Sequence, residues 1–180
     1  MYISKLRLSG FKSFSDDTSL SINAGLNGII GPNGSGKSNI VEAIKWVMGE
    51  SSSKNLRGSG MNDLIFDGSA SKASKNIALV SLKIEVDKKN INDANKKYLK
   101  DGVIEVERQI LRDSGSTYRI NGKEVRAKDV QFLFADFSSG SRSSNIIDQG
   151  TVGNLVLQKP IERRRILDEA AGISGISARK

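Results

Sequence analysis

The chain has 180 residues, of which 37% are hydrophobic and 18 are glycine, which is the size and composition of one globular domain. It contains no cysteine and no histidine, which excludes disulfides, thiolate nucleophiles, Ser-His-Asp triads and His- or Cys-ligated metals. Lys and Arg number 28 against 20 Asp and Glu, and the resulting charge of +8 indicates a polyanionic partner such as a nucleotide, nucleic acid or anionic membrane.

The first quarter of the chain predicts three β-strands followed by a helix. Residues 5–9 and 18–22 alternate polar and apolar side chains, and residues 26–30 form a short apolar run that predicts a third strand. Apolar residues then recur at three- and four-residue spacing from position 40 to position 48, which predicts an amphipathic helix. Gly49 stands where a helix commonly ends.

The rest of the chain continues the mixed α and β pattern. Apolar residues alternate over 78–86 and 104–110, which predicts two long strands. Asn121-Gly122 lies between strand-like flanks and predicts a hairpin with a type I′ turn. Residues 130–137 and 160–171 have helical patterns.

Two polar stretches, 69–76 and 87–101, predict solvated loops, and lysines in such loops would account for part of the positive charge without any partner. No run of 18 apolar residues is present, so we expect no membrane-spanning helix and no membrane partner.

The strongest motif is Gly31-Pro-Asn-Gly-Ser-Gly-Lys-Ser38, which has the GxxxxGK[ST] pattern of a phosphate-binding loop. Gly34 and Gly36 let backbone N–H groups approach phosphate oxygens. Lys37 supplies a cation to the β- and γ-phosphates, and the Ser38 hydroxyl can coordinate Mg²⁺. A glycine-rich turn with an incidental lysine is the alternative, but the predicted strand before the loop and helix after it favour ATP and Mg²⁺ as ligands.

Five segments together resemble the structural maintenance of chromosomes (SMC) family, and most closely its bacterial members. They are Gly10-Phe-Lys-Ser-Phe14, the loop through Asn39, Asn55-Leu-Arg-Gly58 with Met61-Asn-Asp-Leu-Ile-Phe-Asp-Gly-Ser69, Ile146-Ile-Asp-Gln-Gly150 and Arg163-Arg-Arg-Ile-Leu-Asp-Glu-Ala-Ala-Gly172.

The resemblance implies an α/β fold, the N-terminal lobe of an ABC-type P-loop ATPase head with an antiparallel β-subdomain. Residues 1–168 would form this lobe, and residues 169–180 a helix that leads into a coiled coil. The family's activity is ATP-dependent chromosome condensation and segregation, in which the heads of a homodimer sandwich ATP. The implied location is the cytoplasm, with the nucleoid.

Hydrolysis in this family requires a C-terminal lobe that carries the signature motif, the Walker B motif and a catalytic glutamate. The implied partners are that lobe, accessory subunits and double-stranded DNA bound independently of sequence. Asp168-Glu169 resembles the end of a Walker B motif, but only two apolar residues precede the two acids, and the pattern favours a helix.

The resemblance also implies roles for individual residues. Lys37, Arg57 and Gln149 would act in catalysis, Ser38 and Gln149 would bind Mg²⁺, and Lys123, Arg126 and Lys128 would contact DNA. The implied nucleotide-binding residues are Lys12, Ser13, Pro32, Asn33, Gly34, Ser35, Gly36, Lys37, Ser38, Asn39 and Gln149.

Several alternatives stay open at this point. On composition alone, Arg57, Gln149 and Lys123 also fit solvated loop or turn positions. Residues 136–145 depart from the family's usual glycine-rich run before the glutamine loop. Two other functions remain possible: a DNA-repair ATPase head of the RecF or RecN type, or an ATP- or DNA-binding module that does not hydrolyse ATP.

Overall fold

The computed structural model describes residues 1–51, 60–86, 91, 93–137, 146–147, 160–161 and 164. Six strands form one antiparallel sheet in the order β2-β1-β3-β4-β5-β6. The strands are β1 Tyr2–Ser9, β2 Thr18–Ser21, β3 Ile77–Glu85, β4 Val103–Leu111, β5 Gly115–Ile120 and β6 Lys123–Val125. The helices are α1 Lys37–Val47, α2 Asp93–Lys96 and α3 Ala127–Asp136, and a 3₁₀ turn spans Met61–Leu64.

One face of the sheet forms the core. Successive strand residues point to opposite faces, so the apolar member of each alternating pair is buried against the helices. Helix α1 packs on β3 and β4, and α3 packs on β5. The buried residues shared by the strands and these helices include Leu6, Leu8, Val80, Leu82, Val106, Ala43, Trp46, Val47, Val130, Leu133 and Phe134.

The opposite face of the sheet, here called the polar face, carries charged side chains. Lys5 lies beside Lys83 in the β1–β3 register, and Lys83 lies beside Glu105 in the β3–β4 register. Arg119 on β5 donates to Glu107 on β4 at 2.8 Å. The one-sided core agrees with the polar and apolar alternation in the sequence.

Most predicted elements are confirmed, and the hairpin is confirmed in detail. The strands predicted at 5–9, 18–22, 78–86 and 104–110 and the helices predicted at 40–48 and 130–137 are present, with ends that differ by a few residues. Asn121 and Gly122 have φ angles of +50° and +78°, which a type I′ turn requires of its two central residues.

Two predictions are wrong. Residues 26–30 form no strand, and Leu26 and Ile30 are almost fully exposed, at 104% and 97%. A strand requires a hydrogen-bonded neighbour, and no strand in the described part of the chain pairs with this run. The stretch 87–101 is not wholly a solvated loop, because α2 lies within it and Ile91 packs in the core.

The predicted helix at 160–171 is described only at Pro160, Ile161 and Arg164, which are helical. The predicted boundary between residues 168 and 169 lies outside the described residues, as does Asp168-Glu169.

Gly10 turns the chain from β1 into the next segment, and this position excludes any side chain. Its φ is +63°, and a Cβ there would lie 2.2 Å from the backbone oxygen of Ile77. We therefore expect Gly10→Ala to lower the free energy of unfolding by about 3 kcal/mol or more, through backbone strain and a clash with an immobile atom.

Gly115→Ala is the matched control, because Gly115 has a φ of +86° but no atom within 4 Å of an added Cβ. It should cost only the left-handed backbone strain, about 1–2 kcal/mol. Urea unfolding followed by circular dichroism compares the two variants, and equal losses would show that the contact with Ile77 has no effect.

Candidate functional site

The predicted phosphate-binding loop lies at the surface and leads directly into α1. Gly34 and Gly36 have φ angles of +80° and +90°, the left-handed region that glycine adopts without strain. Gly36 is the N-cap of α1, with no side-chain cap and no acidic residue in the first turn. The positive end of the helix dipole therefore faces the loop without a competing carboxylate, which suits an anion.

Lys37 folds back over this loop. Its Nζ donates to the backbone oxygens of Gly31 and Pro32, at 2.6 Å each. The ammonium group is thus already positioned within the loop that would surround a phosphate. Ser38 follows in the first turn of α1, where its side chain is exposed.

A tight turn after β1 brings Ser13 to the start of α1. Phe14 N donates to Phe11 O at 2.8 Å, and the intervening Lys12 has a φ of +45°. Ser13 Oγ accepts from Asn39 Nδ2 at 2.8 Å, and a Cβ on Gly36 would lie 2.5 Å from the same Oγ. Predicted nucleotide-binding residues from two distant segments are therefore adjacent.

Lys12 reaches α1 by a contact that the sequence did not predict. Its Nζ forms an ion pair with the carboxylate of Glu42, and both side chains are largely buried, with exposures of 12% and 7%. The ion pair ties the turn to the middle of α1. The contact of Lys12 with nucleotide stays a prediction.

The loop also offers a suitable environment for a hard cation that arrives with a nucleotide. The described residues contain no group of three or more acidic side chains that could hold a metal ion alone. Mg²⁺ is commonly held by few protein oxygens together with substrate phosphates. The Ser38 hydroxyl beside the loop fits that arrangement.

Two predicted catalytic residues, Arg57 and Gln149, lie outside the described residues, and so do residues 138–145 of the departing segment. Their roles stay predictions.

The three predicted DNA-contacting residues lie together on one short segment. Lys123 begins β6, Arg126 is the N-cap of α3, and Lys128 is in the first turn of α3, and all three are exposed. Asp129 Oδ2 accepts from the Arg126 backbone N–H at 3.1 Å and from Arg126 Nε at 3.4 Å. This carboxylate caps the helix, while the Arg126 side chain remains 87% exposed.

Arg108 is a buried cation for which the sequence pattern indicated no role. It occupies an inward position of β4, within the alternation of Ile104, Val106 and Ile110, and is only 4% exposed. Burial lowers the pKa of Arg108, but a guanidinium stays protonated in proteins. The sequence signal that could have identified Arg108 is a charged residue at a position where the strand pattern requires an apolar one.

Comparisons with known proteins identify the family of this chain. The model of the RecF/RecN/SMC N terminal domain family matches residues 2–141. The chain is 46% identical over 184 residues to a chromosome partition protein Smc from Rhodopseudomonas palustris, covering 100% of this chain and 15% of that protein. The chain thus spans about 15% of the length of that relative.

Solved structures of Smc head domains also match this chain. An Smc head domain with an extended coiled coil from Pyrococcus furiosus, bound to the C-terminal domain of ScpA, has a TM-score of 0.86 and 30% identity. That match covers 99% of this chain and 44% of the other. A RecF–ATP structure matches at a TM-score of 0.55 and 20% identity, over 73% of this chain and 30% of that one, which shows a shared fold alone.

The antiparallel sheet with its flanking helices is the N-terminal lobe seen in SMC heads, which confirms the predicted ABC-type α/β class. The more distant likeness to RecF makes the DNA-repair alternative the weaker one. The fold and the matched segments agree, and the chain belongs to the RecF/RecN/SMC N-terminal domain family as a head lobe of the SMC type.

Proposed function

We propose that this chain is the ATP-binding half of a chromosome-segregation ATPase head, in which ATP-driven engagement of two heads is coupled to DNA binding. The observation that carries the proposal is the junction of the loop with α1. Lys37 lies over the loop, Ser13 lies against Gly36, and the start of α1 has no acidic residue. This arrangement supplies a cation, backbone donors and a helix dipole to a triphosphate.

A second lobe would complete the head. The apolar run before the loop exposes Leu26, Ile29 and Ile30, with fractional exposures of 104%, 54% and 97%. Exposed apolar side chains beside an unpaired backbone favour burial by a further strand. We assign that strand to the C-terminal lobe of the same protein, which would also bring the signature motif and the catalytic glutamate.

Several residues of this chain would stabilise the negative charge of the phosphates during hydrolysis. Lys37 and Arg57 would stabilise negative charge on the transferred phosphoryl group. Ser38 and Gln149 would hold Mg²⁺, which neutralises phosphate charge when bound. The in-line water would receive its base from the second lobe.

The partners follow from the same proposal. The head would work as a homodimer in the cytoplasm, associated with the nucleoid and with an accessory subunit of the ScpA kind. Duplex DNA would bind at Lys123, Arg126 and Lys128, which are exposed side chains on one segment. Such contacts to phosphate carry no sequence information, so the binding would be independent of sequence.

The nucleotide loop gives the first test of this function. Lys37→Ala should weaken binding of a fluorescent ATP analogue by a factor on the order of 100, because a charged hydrogen-bond donor to phosphate is removed. Ser38→Ala should weaken binding in Mg²⁺ more than binding in a chelator. Equilibrium titration of the full-length protein measures both effects.

Lys5→Ala is the control for this titration, because Lys5 is an exposed lysine on the polar face. It should bind the analogue as the wild type does. Wild-type affinity in Lys37→Ala would contradict the assignment of residues 31–38 as the ATP-binding loop.

A second test concerns catalysis by the separate lobe. The 180-residue chain alone should show negligible ATPase activity, and a separately produced C-terminal lobe should restore turnover, because the base and the signature motif would come from that lobe. Phosphate release measures this, after circular dichroism has established that the chain is folded. Hydrolysis by the chain alone that is abolished in Lys37→Ala would show that Asp168-Glu169 is a true Walker B pair, whereas no hydrolysis with both lobes present would favour a non-hydrolysing module.

A third test concerns DNA. Replacing Arg126 and Lys128 together by glutamate should weaken duplex binding by the full-length protein. It should also flatten the plot of log affinity against log salt by about two units, one for each phosphate that the variant no longer neutralises. Fluorescence anisotropy across a salt series measures the slope, and ATP binding should be retained.

The matched control makes the same charge change elsewhere. Lys5 and Lys83 are exposed register neighbours on the polar face, whereas α3 packs on the core face, and both lysines become glutamate. Because this change lies on the other face of the sheet from α3, the proposed phosphate contacts of Arg126 and Lys128 should remain, and the control should keep the wild-type slope. Equal slopes for all three proteins would place the DNA contact on other residues.

A further inference from the structure

Helix α1 connects the two proposed binding regions. It begins at Lys37 in the nucleotide loop, and its 11 residues extend about 16 Å. Just beyond its end, Gly49 O accepts from Gln131 Nε2 on α3 at 3.4 Å. A Cβ on Gly49 would lie 2.8 Å from Gln131 Cγ, so the two elements are in close contact. Helix α3 is also the element that carries Lys128.

Arg108 holds the end of α1 to the sheet. Its Nη1 donates to the backbone oxygens of Trp46 at 2.8 Å and Glu50 at 2.7 Å. These carbonyls lie at the negative end of the helix dipole, where a cation is favoured. The guanidinium thereby fixes where α1 ends relative to β4.

The same guanidinium also holds β5. Its Cζ lies 4.6 Å from the ring centroids of both Trp46 and Tyr118, so the cation is sandwiched between a ring of α1 and a ring of β5. Nε and Nη2 donate to Ser116 Oγ at 3.3 and 3.1 Å. Strand β5 leads through the hairpin to Lys123 and Arg126, so α1 cannot move relative to the proposed DNA segment without changing these contacts.

Each of the two rings beside the Arg108 guanidinium carries a buried polar atom. Trp46 Nε1 and Tyr118 Oη are buried, and neither has a hydrogen-bond partner among the described residues. A buried polar group without a partner is unfavourable. A shift of α1 relative to β5 changes the surroundings of both atoms, so the packing around Arg108 has hydrogen-bonding capacity that a second arrangement would use.

We propose that Arg108 is the positioning residue through which nucleotide binding at the start of α1 and DNA binding on the β6–α3 segment affect one another. The inference rests on the proposed function, since it takes ATP and DNA as the two ligands. Nucleotide binding displaces the N-terminal end of α1. The C-terminal end of α1 shifts with it, and Arg108 transmits that shift to β5. Arg108 touches neither ligand.

The test measures the coupling between the two ligands in the full-length protein. The coupling factor is the ratio of the Kd for a labelled duplex without a non-hydrolysable ATP analogue to the Kd with the analogue at saturation. Linkage requires DNA to change the affinity for the analogue by the same factor, which gives a second, independent readout. A residue that only stabilises the fold would change the duplex Kd by the same factor without and with the analogue, so the coupling factor would stay the same.

Arg108→Lys keeps the charge but removes the planar group that bonds the carbonyls and stacks between the rings. Couplings of this kind are typically 5–150-fold, and we expect this variant to bring the factor to within about threefold of unity. Arg119→Lys is the matched control, because Arg119 is an arginine of β5 on the polar face, paired with Glu107. Its coupling factor should equal that of the wild type.

A milder pair of variants covers the case in which Arg108→Lys does not fold. Ser116 and Thr117 are exposed neighbours on β5, and Ser116 Oγ is an acceptor of Arg108. Ser116→Ala should reduce the coupling factor partially, whereas Thr117→Ala should not change it. A wild-type factor in folded Arg108→Lys, or in Ser116→Ala if the lysine variant is unfolded, overturns the inference.

The wild-type measurement separates this inference from the function on which it rests. Wild-type coupling that persists in folded Arg108→Lys overturns the role of Arg108 alone. Wild-type protein that binds DNA equally well with and without the analogue overturns the coupling in the proposed function as well, and leaves the DNA contact intact. Wild-type protein that does not bind the duplex overturns the DNA part of the proposed function together with the inference.

Discussion

The proposed nucleotide recognition depends on the fixed position of α1. Flexible glycines can direct backbone N–H groups at a phosphate only if the helix that follows them is held in place. The start of α1 is tied to the turn after β1 by the Ser13–Asn39 hydrogen bond and the buried Lys12–Glu42 ion pair. Its other end is tied to the sheet by Arg108. The loop can therefore be flexible in its own backbone and still present a defined geometry.

Local sequence patterns predict most of the elements and the position of the glycine-rich loop before α1. Strand alternation, helical periodicity and the Asn121-Gly122 turn each depend on residues within a few positions of one another, and the structure has all three. The loop at residues 31–38 is also a local pattern, because glycine conformation, the lysine and the helix start are consecutive. Ser13 is predicted by the resemblance alone, since nothing in its own neighbourhood indicates a nucleotide.

Predictions failed or were missing where the structure depends on residues far apart in sequence. Lys12 and Glu42 are 30 residues apart, and Arg108 and Trp46 are 62 apart, so no periodicity links them. Residues 26–30 show the same limit in the opposite sense. Their apolar pattern is real, but a strand is a property of a pair, and the described chain supplies no partner. The apolar pattern of residues 26–30 thus predicts a strand without identifying its partner, which the proposed C-terminal lobe would supply.

Arg108 also shows why an arginine is present where a strand pattern requires an apolar residue. Burying a cation is costly, and well-packed apolar side chains of similar volume are often as stable or more stable. The carbonyls at the end of α1 and the two ring faces offset part of this cost without providing a reason for the charge. A leucine or methionine could fill the space between Trp46 and Tyr118. Only a planar group with several donors can bond the Trp46 and Glu50 carbonyls and the Ser116 hydroxyl at once, so Arg108 contributes the relative orientation of α1 and β5 more than net stability.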